Sequence, residues 1–449
     1  MKVTMLYPPD STTSTVNDMH LLYLQALNSM RPEFEIQIIG RIPEPRFRQT
    51  VPTTLPYLDF FSQGSFNKTL NQSELADAER QIGMPYEFLF ACNQRRWGWL
   101  DKNGCDQKVA RYVPVWQKLL KGTDALITTL DNLFFIQTAE GVASKMGIPI
   151  IKPISGRLVN NSVVFWDRHN LPIFHTWDID SKNDIYDRFA ARTSQKAQVR
   201  LHTSSITSTS GFISKISSIP NKIRELQSSP PADADIPRLR DKYLRLSDIA
   251  MMMQIFPGWN RILCKHPHPN DRYFLFALHF EWEANMAARE PFTNQLQLAE
   301  TISKCLPSGT KLYIKTPPHW KSCDQYPMDM YRLYKQPNVR IIHPSSNTTD
   351  LINNSIGVIA INSTVGYEAL LAKKPLLAIG HEWFKEAGIN IKDLNTELPA
   401  ALMAAANDTL HMEDTDLFLR RYAANIVPIE GKEIFAAVFR KVILHVRGR

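Results

Sequence analysis

One stretch of the chain combines an apolar strand, a loop of small residues and a helix start, an order suited to holding a phosphate. Residues 357–380 read GVIAINSTVGYEALLAKKPLLAIG, in which a loop precedes a helix predicted to begin at Tyr367. Backbone N–H groups at a helix start lack intrahelical partners, and the helix dipole adds partial positive charge there. The candidate anion ligands are Asn362, Ser363, Thr364 and Gly366.

Two residues of this stretch have more specific predicted roles. Gly366 has no Cβ, so we expect it to let a ligand approach the backbone closely. Glu368 is predicted in the first helical turn, where it could accept hydrogen bonds from ribose hydroxyls. The alternative is structural: Ser363 or Thr364 caps the helix, and Glu368 completes the capping arrangement.

Two carboxylates follow a second apolar strand. The strand is predicted over residues 273–280, and Glu281 and Glu283 come directly after it in the sequence ALHFEWEAN. Open α/β sheets place reacting groups at the carboxyl ends of their strands. A carboxylate there could act as a base, as a nucleophile or as a hydrogen-bond acceptor. Because the two glutamates alternate like one face of a strand, simple solvation is the competing interpretation.

Basic and polar residues end two further predicted strands. Lys315 ends the strand 311–315, whereas His343 and Ser345 follow the strand 339–342. Both strand ends predict contacts with a phosphate or a base, and an N-cap role for Ser346 or Asn347 stays open. The sequence KHPHP at residues 265–269 precedes the first predicted strand of this region, so we expect a loop there.

The elements that would position these residues alternate between strand and helix. Strand, helix and strand patterns occur over residues 2–39, over 125–151 and again over 273–379. Such alternation predicts the α/β class with parallel sheets and helices on both faces. We expect a Rossmann-like domain over 1–180 and a second over 270–425. A helical region at 181–269 would join them, with an insertion into one large domain as the alternative, and a C-terminal helix would occupy 426–449.

Composition excludes several classes of protein. The 449 residues are 44% hydrophobic and 21% charged, as in folded globular proteins, so disorder and disulfide-dense scaffolds are excluded. The net charge of +8 favours anionic ligands, but no basic block is interleaved with aromatic residues, which argues against nucleic acid. The five cysteines form no paired motif, which fits a reducing compartment. We find no secretory signal and no apolar run of membrane-spanning length.

Residues 361–380 resemble the signature of bacterial capsule and surface polysaccharide biosynthesis proteins. This group has the GT-B fold and includes the 3-deoxy-manno-octulosonate (Kdo) transferases of capsule linkers. The matching positions are Ser363, Thr364, Gly366, Glu368, Ala369, Leu370, Lys374 and Pro375. A second similar block covers residues 273–285, Asn294, Gln295 and the LPSG turn at 306–309. The resemblance spans roughly residues 270 to 385.

The resemblance implies a GT-B enzyme whose two Rossmann-like domains face each other across a cleft. It implies a glycosyltransferase that moves an acidic sugar such as Kdo from a CMP-activated donor to a glycan or glycolipid acceptor. Glu281 or Glu283 would be the catalytic carboxylate, and Arg157 would contact the sugar acid. No metal or cofactor is implied. We expect a cytoplasmic protein, either free or at the surface of the inner membrane. The basic C-terminal helix would either bind anionic lipid there or cross back onto the first domain.

Three other functions remain open from the residues. A teichoic-acid-type glycerophosphotransferase would release CMP but depend on histidines, for which His343 and His279 are the candidates. A sugar-nucleotide 2-epimerase would turn over a UDP-sugar without an acceptor. A non-catalytic assembly partner is suggested because Lys315-Thr316-Pro317-Pro318 replaces the Lys-Glu-His-Pro motif that similar proteins carry, with the histidine displaced to His319.

Overall fold

The chain forms two compact α/β units. The computed structural model describes residues 1–7, 25–27, 29–40, 54–55, 69–89, 105–128, 134–156, 162–169, 173, 264–279, 294–316, 327–343, 346–410, 412, 414–428 and 432–447. The first unit comprises Met1–Ile179 and Tyr422–Arg449, and the second comprises Asp180–Arg421.

The first unit contains a seven-stranded sheet in the order β14-β6-β5-β4-β1-β2-β3. The strands are β1 (Lys2–Tyr7), β2 (Glu35–Gly40), β3 (Thr54–Leu55), β4 (Ala125–Ile127), β5 (Ile150–Ser155), β6 (Ser162–Trp166) and β14 (Val427–Pro428). β1 pairs in parallel with β2 and β4, whereas β6 is antiparallel to both of its neighbours. The central strands are buried on both faces, as expected for a parallel sheet covered by helices.

Helices α1 (Gln72–Ile82), α2 (Cys105–Leu119) and α3 (Phe134–Lys145) belong to this unit, together with the C-terminal helix α10 (Lys432–Arg447). The apolar face of α10 is buried: Phe439 stacks on Phe165 with ring centroids 5.2 Å apart, and Val442 and Ile443 join the core around Val3. The burial of this face in the first unit explains the apolar stripe that the sequence shows near its end.

The second unit contains a seven-stranded sheet in the order β13-β12-β11-β8-β9-β10-β7, and every paired neighbour is parallel. The strands are β7 (Cys264–Lys265), β8 (Arg272–Ala277), β9 (Thr310–Lys315), β10 (Val339–Ile342), β11 (Gly357–Ala360), β12 (Leu376–Ala378) and β13 (Ile389–Asn390). After its first residue β8 is continuously buried, which explains the aromatic and aliphatic run YFLFA.

The described helices of the second unit are α4 (Gln295–Cys305), α5 (Pro327–Lys335), α6 (Thr348–Asn353), α7 (Thr364–Leu371) and α8 (Glu397–Ala406), and α9 (Thr415–Ala424) continues from this unit into the first. A short 3₁₀ helix follows β12 at Trp383–Glu386. Several helices begin at the side chains that the sequence offers for capping. Asn294, for example, accepts hydrogen bonds from the amides of Leu296 (2.8 Å) and Gln297 (3.2 Å) at the start of α4.

The predicted fold class, α/β with two Rossmann-like sheets as in GT-B proteins, is confirmed. Two local predictions differ from the structure. α7 begins at Thr364 rather than at Tyr367, and Lys265 lies in edge strand β7, paired with Ile342 of β10, rather than in a loop. The predicted inter-domain helical region lies mostly outside the described residues.

Candidate functional site

The second sheet reverses its direction of growth between β8 and β11. From β8 the chain continues to β9 and β10 on one side, then returns to β11 on the other side of β8 and continues to β12 and β13. In open α/β sheets, ligands bind outside the carboxyl ends of the strands at such a reversal. Here those ends carry His279 after β8 and, after β11, the segment Asn362–Gly366, in which a short loop runs into the first turn of α7. This edge is the candidate site.

The end of β8 is fixed by one side chain. Gln295 is only 2% exposed, and its side-chain amide both accepts a hydrogen bond from the backbone of His279 and donates one to it. Its Oε1 accepts from the His279 N–H (2.8 Å), and its Nε2 donates to the His279 carbonyl (2.9 Å). Because Gln295 is the first residue of α4, this paired contact holds the start of that helix against the strand end.

Ser363 is the N-cap of α7. Its Oγ accepts from the Val365 amide (3.2 Å), and its carbonyl accepts from the Gly366 amide (3.0 Å). The capping interpretation of Ser363 is therefore observed. It does not remove the partial positive charge at the helix end, which arises from the aligned peptide dipoles. Asn362, Ser363 and Gly366 lie together at this end, with Thr364 partly exposed beside them.

The contact made by Gly366 differs from the prediction. A Cβ at this position would lie 2.6 Å from Cε1 of Phe384 and 2.8 Å from two further atoms of the same ring. Phe384 is fully buried in the 3₁₀ helix that follows β12. The absence of a side chain at Gly366 therefore accommodates an aromatic ring of the protein itself, and close approach of a ligand at this glycine stays a prediction.

The position of Glu368 also differs from the prediction. It is the fifth residue of α7, so it lies outside the first turn, and no acidic residue occupies that turn. It does not complete a capping box, because the third helical position is Gly366. Glu368 is 5% exposed. A contact between its carboxylate and a ribose therefore stays a prediction that this burial does not favour.

The Lys-Pro part of the signature forms a turn. Lys373 follows α7 with a φ of 53°, and the amide of Lys374 donates to the Ala369 carbonyl (2.9 Å), the hydrogen bond of a Schellman motif. The Lys374 amine donates to the Ser355 carbonyl (3.1 Å), which precedes β11. Both residues thus lead the chain into β12, away from the carboxyl edge.

Lys315 ends β9 at the carboxyl edge, as predicted from its place in the sequence. Its side chain is buried, with the residue 6% exposed, and its Nζ lies 3.4 Å from the Thr316 carbonyl. Thr316 is 1% exposed, and its Oγ1 has no hydrogen-bond partner among the described residues. A buried ammonium group beside a buried hydroxyl is a suitable environment for an anionic ligand.

His343 follows β10 and contacts a histidine that we did not select from the sequence. Its ring stacks on that of His266 with centroids 5.7 Å apart, and its amide donates to the Lys265 carbonyl (3.1 Å). Burial lowers the pKa of His343 below the usual histidine value, and the charges of His266 and Lys315 lower it further. The sequence signal for His266 was the KHPHP run, which could not be placed without knowing that β7 pairs with β10.

The predicted ligands that the structure describes, together with His266, fall into two groups along the edge. One is the loop at the end of β11, and the other consists of Lys315, His343 and His266 at the ends of β9, β10 and β7. Neighbouring strands are separated by about 4.8 Å, so β11 and β10, three strands apart, differ by roughly 14 Å. A single phosphate cannot bridge that distance, whereas an extended nucleotide would reach from one group toward the other.

Four candidate residues lie outside the described residues: Glu281, Glu283, Ser345 and Arg157. Within the described residues, no group of three or more histidine, cysteine or acidic side chains could hold a metal ion. Among the helices that the structure describes, none is both long and apolar enough to span a membrane.

Solved structures give distant likenesses over most of the chain. The UDP-GlcNAc 2-epimerase of Methanocaldococcus jannaschii is 11% identical, with 98% of this chain and 99% of that chain covered and a TM-score of 0.32. The beta Kdo 2,4 transferase of Thermosulfurimonas dismutans KpsC is 14% identical, with coverages of 68% and 80% and a TM-score of 0.34. Its beta Kdo 2,7 transferase is 12% identical, with coverages of 78% and 96% and a TM-score of 0.32. Likenesses of this size assign no function.

No curated protein matches the sequence. A family model does match, and its description is capsule polysaccharide biosynthesis protein. The match covers residues 265–422, which include every strand of the second sheet from β8 to β13 and both groups of ligands described above. The predicted resemblance to capsule polysaccharide biosynthesis proteins is therefore confirmed over this part of the chain.

Proposed function

We propose that the protein is a nucleotide-sugar-dependent glycosyltransferase of capsule polysaccharide biosynthesis. The observation that carries the proposal is the loop-to-helix junction Asn362–Gly366 at the reversal point of a parallel sheet, within the segment matched by the family model. Glycosyl transfer from a nucleotide sugar requires stabilisation of a leaving phosphate, and a helix start with nearby cations supplies it.

The nucleotide would lie along the carboxyl edge of the second sheet. In this arrangement, the start of α7 holds the phosphate, and the group formed by Lys315, His343 and His266 contacts the remainder of the nucleotide sugar. Lys315 is the candidate cation of this second group, because its side chain is buried at the end of β9, two strands from β11. His343 is mostly neutral in the free protein, since its pKa is lowered, and it gains a proton favourably when an anion binds beside it.

The reacting carbon would be served by a carboxylate that follows β8. Glu281 and Glu283 are the candidates, because β8 ends at the reversal point where open sheets place reacting groups. Arg157 of the first unit would pair with the carboxylate of an acidic sugar, and Ser345 would add a hydroxyl next to His343. Substituting Glu281 and Glu283 separately by glutamine tests which one is needed for transfer.

The donor in this proposal is a CMP-activated acidic sugar such as Kdo, and the acceptor is a glycan or glycolipid. The support is the resemblance of residues 361–380 to the signature of proteins that include Kdo transferases. We further propose that the reaction takes place at the cytoplasmic face of the inner membrane, where glycolipid acceptors are available.

Calorimetric titration with CMP, with UDP and GDP for comparison, tests the nucleotide assignment. The variant is His343→Asn, and its matched control is His268→Asn, at an exposed histidine close to His266 in sequence. We expect saturable binding of CMP that is weakened in His343→Asn and unchanged in His268→Asn. Preferential binding of UDP or GDP would refute the CMP donor. Absence of nucleotide binding would refute the enzyme and favour the non-catalytic partner.

The paired histidines favour one second candidate, a glycerophosphotransferase of the teichoic-acid type. Stacked imidazoles at a strand end could share general acid–base work on a phosphoryl group. The two candidates differ in the residues on which turnover depends. Loss of turnover in His343→Asn with full turnover in both glutamine variants, assayed with CDP-glycerol, would support the second candidate. The reverse pattern with a CMP-sugar would support the glycosyltransferase.

A further inference from the structure

The segment from Gly380 to Gly388 supports the candidate loop from within the protein. Gly380 lies so close to the end of β11 that a Cβ there would be 2.4 Å from the Ile361 carbonyl oxygen and 2.8 Å from Oδ1 of Asn362. Four residues later, the ring of Phe384 lies directly against Gly366. The segment therefore contacts both ends of the loop Asn362–Gly366, although it contributes no residue that the sequence singled out.

A buried hydrogen bond joins the same segment to α7. The hydroxyl of Tyr367 donates to Oε1 of Glu382 over 3.0 Å, and both residues are fully buried. The Tyr367 ring also meets the Phe384 ring edge to face, with centroids 5.2 Å apart. A carboxylate at zero exposure is costly unless hydrogen bonds satisfy it, so Glu382 and Tyr367 constrain each other strongly.

The hydrogen bond between Tyr367 and Glu382 lies close to the predicted anion site at the start of α7. Tyr367 is the fourth residue of α7, directly after Thr364, Val365 and Gly366, and the amides of Val365 and Gly366 bond Ser363 at the cap of the helix. Stabilisation of an anion by the dipole of a helix end depends on that end being held in place before the ligand arrives. A shift of α7 by a fraction of an ångström would displace those amides together, since the first turn moves as one unit.

We infer that Glu382 is a positioning residue, which acts through Tyr367 to hold the amino end of α7 in the geometry that binds the phosphate of the nucleotide. The identity of the ligand in this inference rests on the proposed function. The positioning of α7 by Glu382 and Tyr367 does not. Being fully buried, Glu382 would not touch the nucleotide itself.

The test uses two substitutions and one control in the full-length protein. Tyr367→Phe removes only the hydroxyl, whereas Glu382→Gln keeps a carbonyl oxygen that can accept from Tyr367. The control is Tyr273→Phe, because the Tyr273 hydroxyl is also buried and donates to a backbone carbonyl, that of Leu351, over 2.7 Å. CMP affinity is measured by calorimetry, and amide hydrogen exchange is followed over residues 362–368.

We expect Tyr367→Phe to weaken CMP binding about tenfold, equivalent to roughly 1.4 kcal/mol, and to speed exchange of the Val365 and Gly366 amides. Glu382→Gln should weaken CMP binding only about threefold, because its side chain still accepts a hydrogen bond from Tyr367. Tyr273→Phe should lose about as much thermal stability as Tyr367→Phe but bind CMP as tightly as the wild type. This contrast separates positioning from general destabilisation.

Two results would count against the inference. If Tyr367→Phe matched Tyr273→Phe in both CMP affinity and amide exchange, Glu382 would have no positioning role. If the wild-type protein bound no CMP, the proposed function would fail, and exchange alone would decide: faster exchange confined to residues 362–368 in Tyr367→Phe would support the positioning role, and unchanged exchange would overturn it.

Discussion

Replacing Gly366 by alanine distinguishes a glycine that accommodates a ligand from one that accommodates the protein. The added Cβ would lie 2.6 to 2.8 Å from three atoms of the Phe384 ring. Such contacts are far inside van der Waals distance, and the ring is fully buried against Tyr367, so it cannot move away freely. Overpacking of a buried site costs about 1–3 kcal/mol.

The helical backbone offsets part of that cost. Gly366 has no positive φ and lies in α7, where alanine is favoured over glycine by up to about 1 kcal/mol. Because three ring atoms are contacted, we take the cost of overpacking as about 3 kcal/mol, the upper end of its range. Subtracting the helix preference of alanine leaves a net loss of about 2 kcal/mol in the free energy of unfolding. Urea denaturation followed by circular dichroism measures this loss.

A second substitution identifies the cause. Phe384→Leu opens space beside Gly366, so we expect alanine at position 366 to cost less in that background than in the wild type. Gly309→Ala is the contrasting control, because a Cβ there meets no atom within 4 Å but the residue has a φ of 76°. Its cost comes from the backbone, and Phe384→Leu should not reduce it.

The reasoning would be refuted if Gly366→Ala kept wild-type stability while it abolished nucleotide binding. That result would mean that the glycine makes room for a ligand, as the sequence alone predicts. It would also be refuted if Phe384→Leu left the cost of Gly366→Ala unchanged, because the ring would then not be the clashing group.

Three further predictions concern single side chains of the second unit. Asp271 is partly buried, which by itself would raise its pKa, but hydrogen bonds from Tyr313 and Lys311 and the charge of Arg340 together lower the pKa below its usual value. The ionised carboxylate therefore stabilises the fold fully above the ordinary aspartate pKa, and this stabilisation is lost as pH falls through the lowered pKa. Asp271→Asn should reduce the free energy of unfolding by about 2 kcal/mol at pH 7. Urea denaturation at several pH values should also show a weaker decrease of stability at acid pH in this variant than in the wild type. Ser363→Ala removes the N-cap of α7 and should cost about 1 kcal/mol by the same assay. Because the pKa of His343 is lowered in the free protein, its protonation on binding an anion should make the ratio of wild-type to His343→Asn affinity for CMP rise as pH falls from 8 toward 6, and calorimetry at several pH values measures this ratio.

The sequence could predict the second unit well because its strands are buried on both faces. Runs such as YFLFA and GVIA contain no polar residue for several positions, so only a covered parallel sheet suits them. Helices such as α1 and α2 were not identified, since their amphipathic patterns lie between segments that lack a clear strand. The sequence predicts the start of α7 three residues late, because Thr364, Val365 and Gly366 are each poor helix formers in isolation.

The sequence by itself determined the fold class, the family resemblance and the strand ends at which chemistry belongs. These follow from local patterns: apolar runs, small-residue loops and residues placed directly after a strand. Lys315 and His343 were found in this way, and both lie at the carboxyl edge.

Only the tertiary structure decided what those residues contact. Strand order brings His266 against His343, although 76 residues separate them, and it places Lys315 and the Ser363 loop on different strands of the same edge. Packing assigns Gly366 to Phe384 and buries Glu368. The physical reason is that a local pattern fixes which face of an element is apolar, whereas the partner of that face depends on which distant element the fold brings beside it.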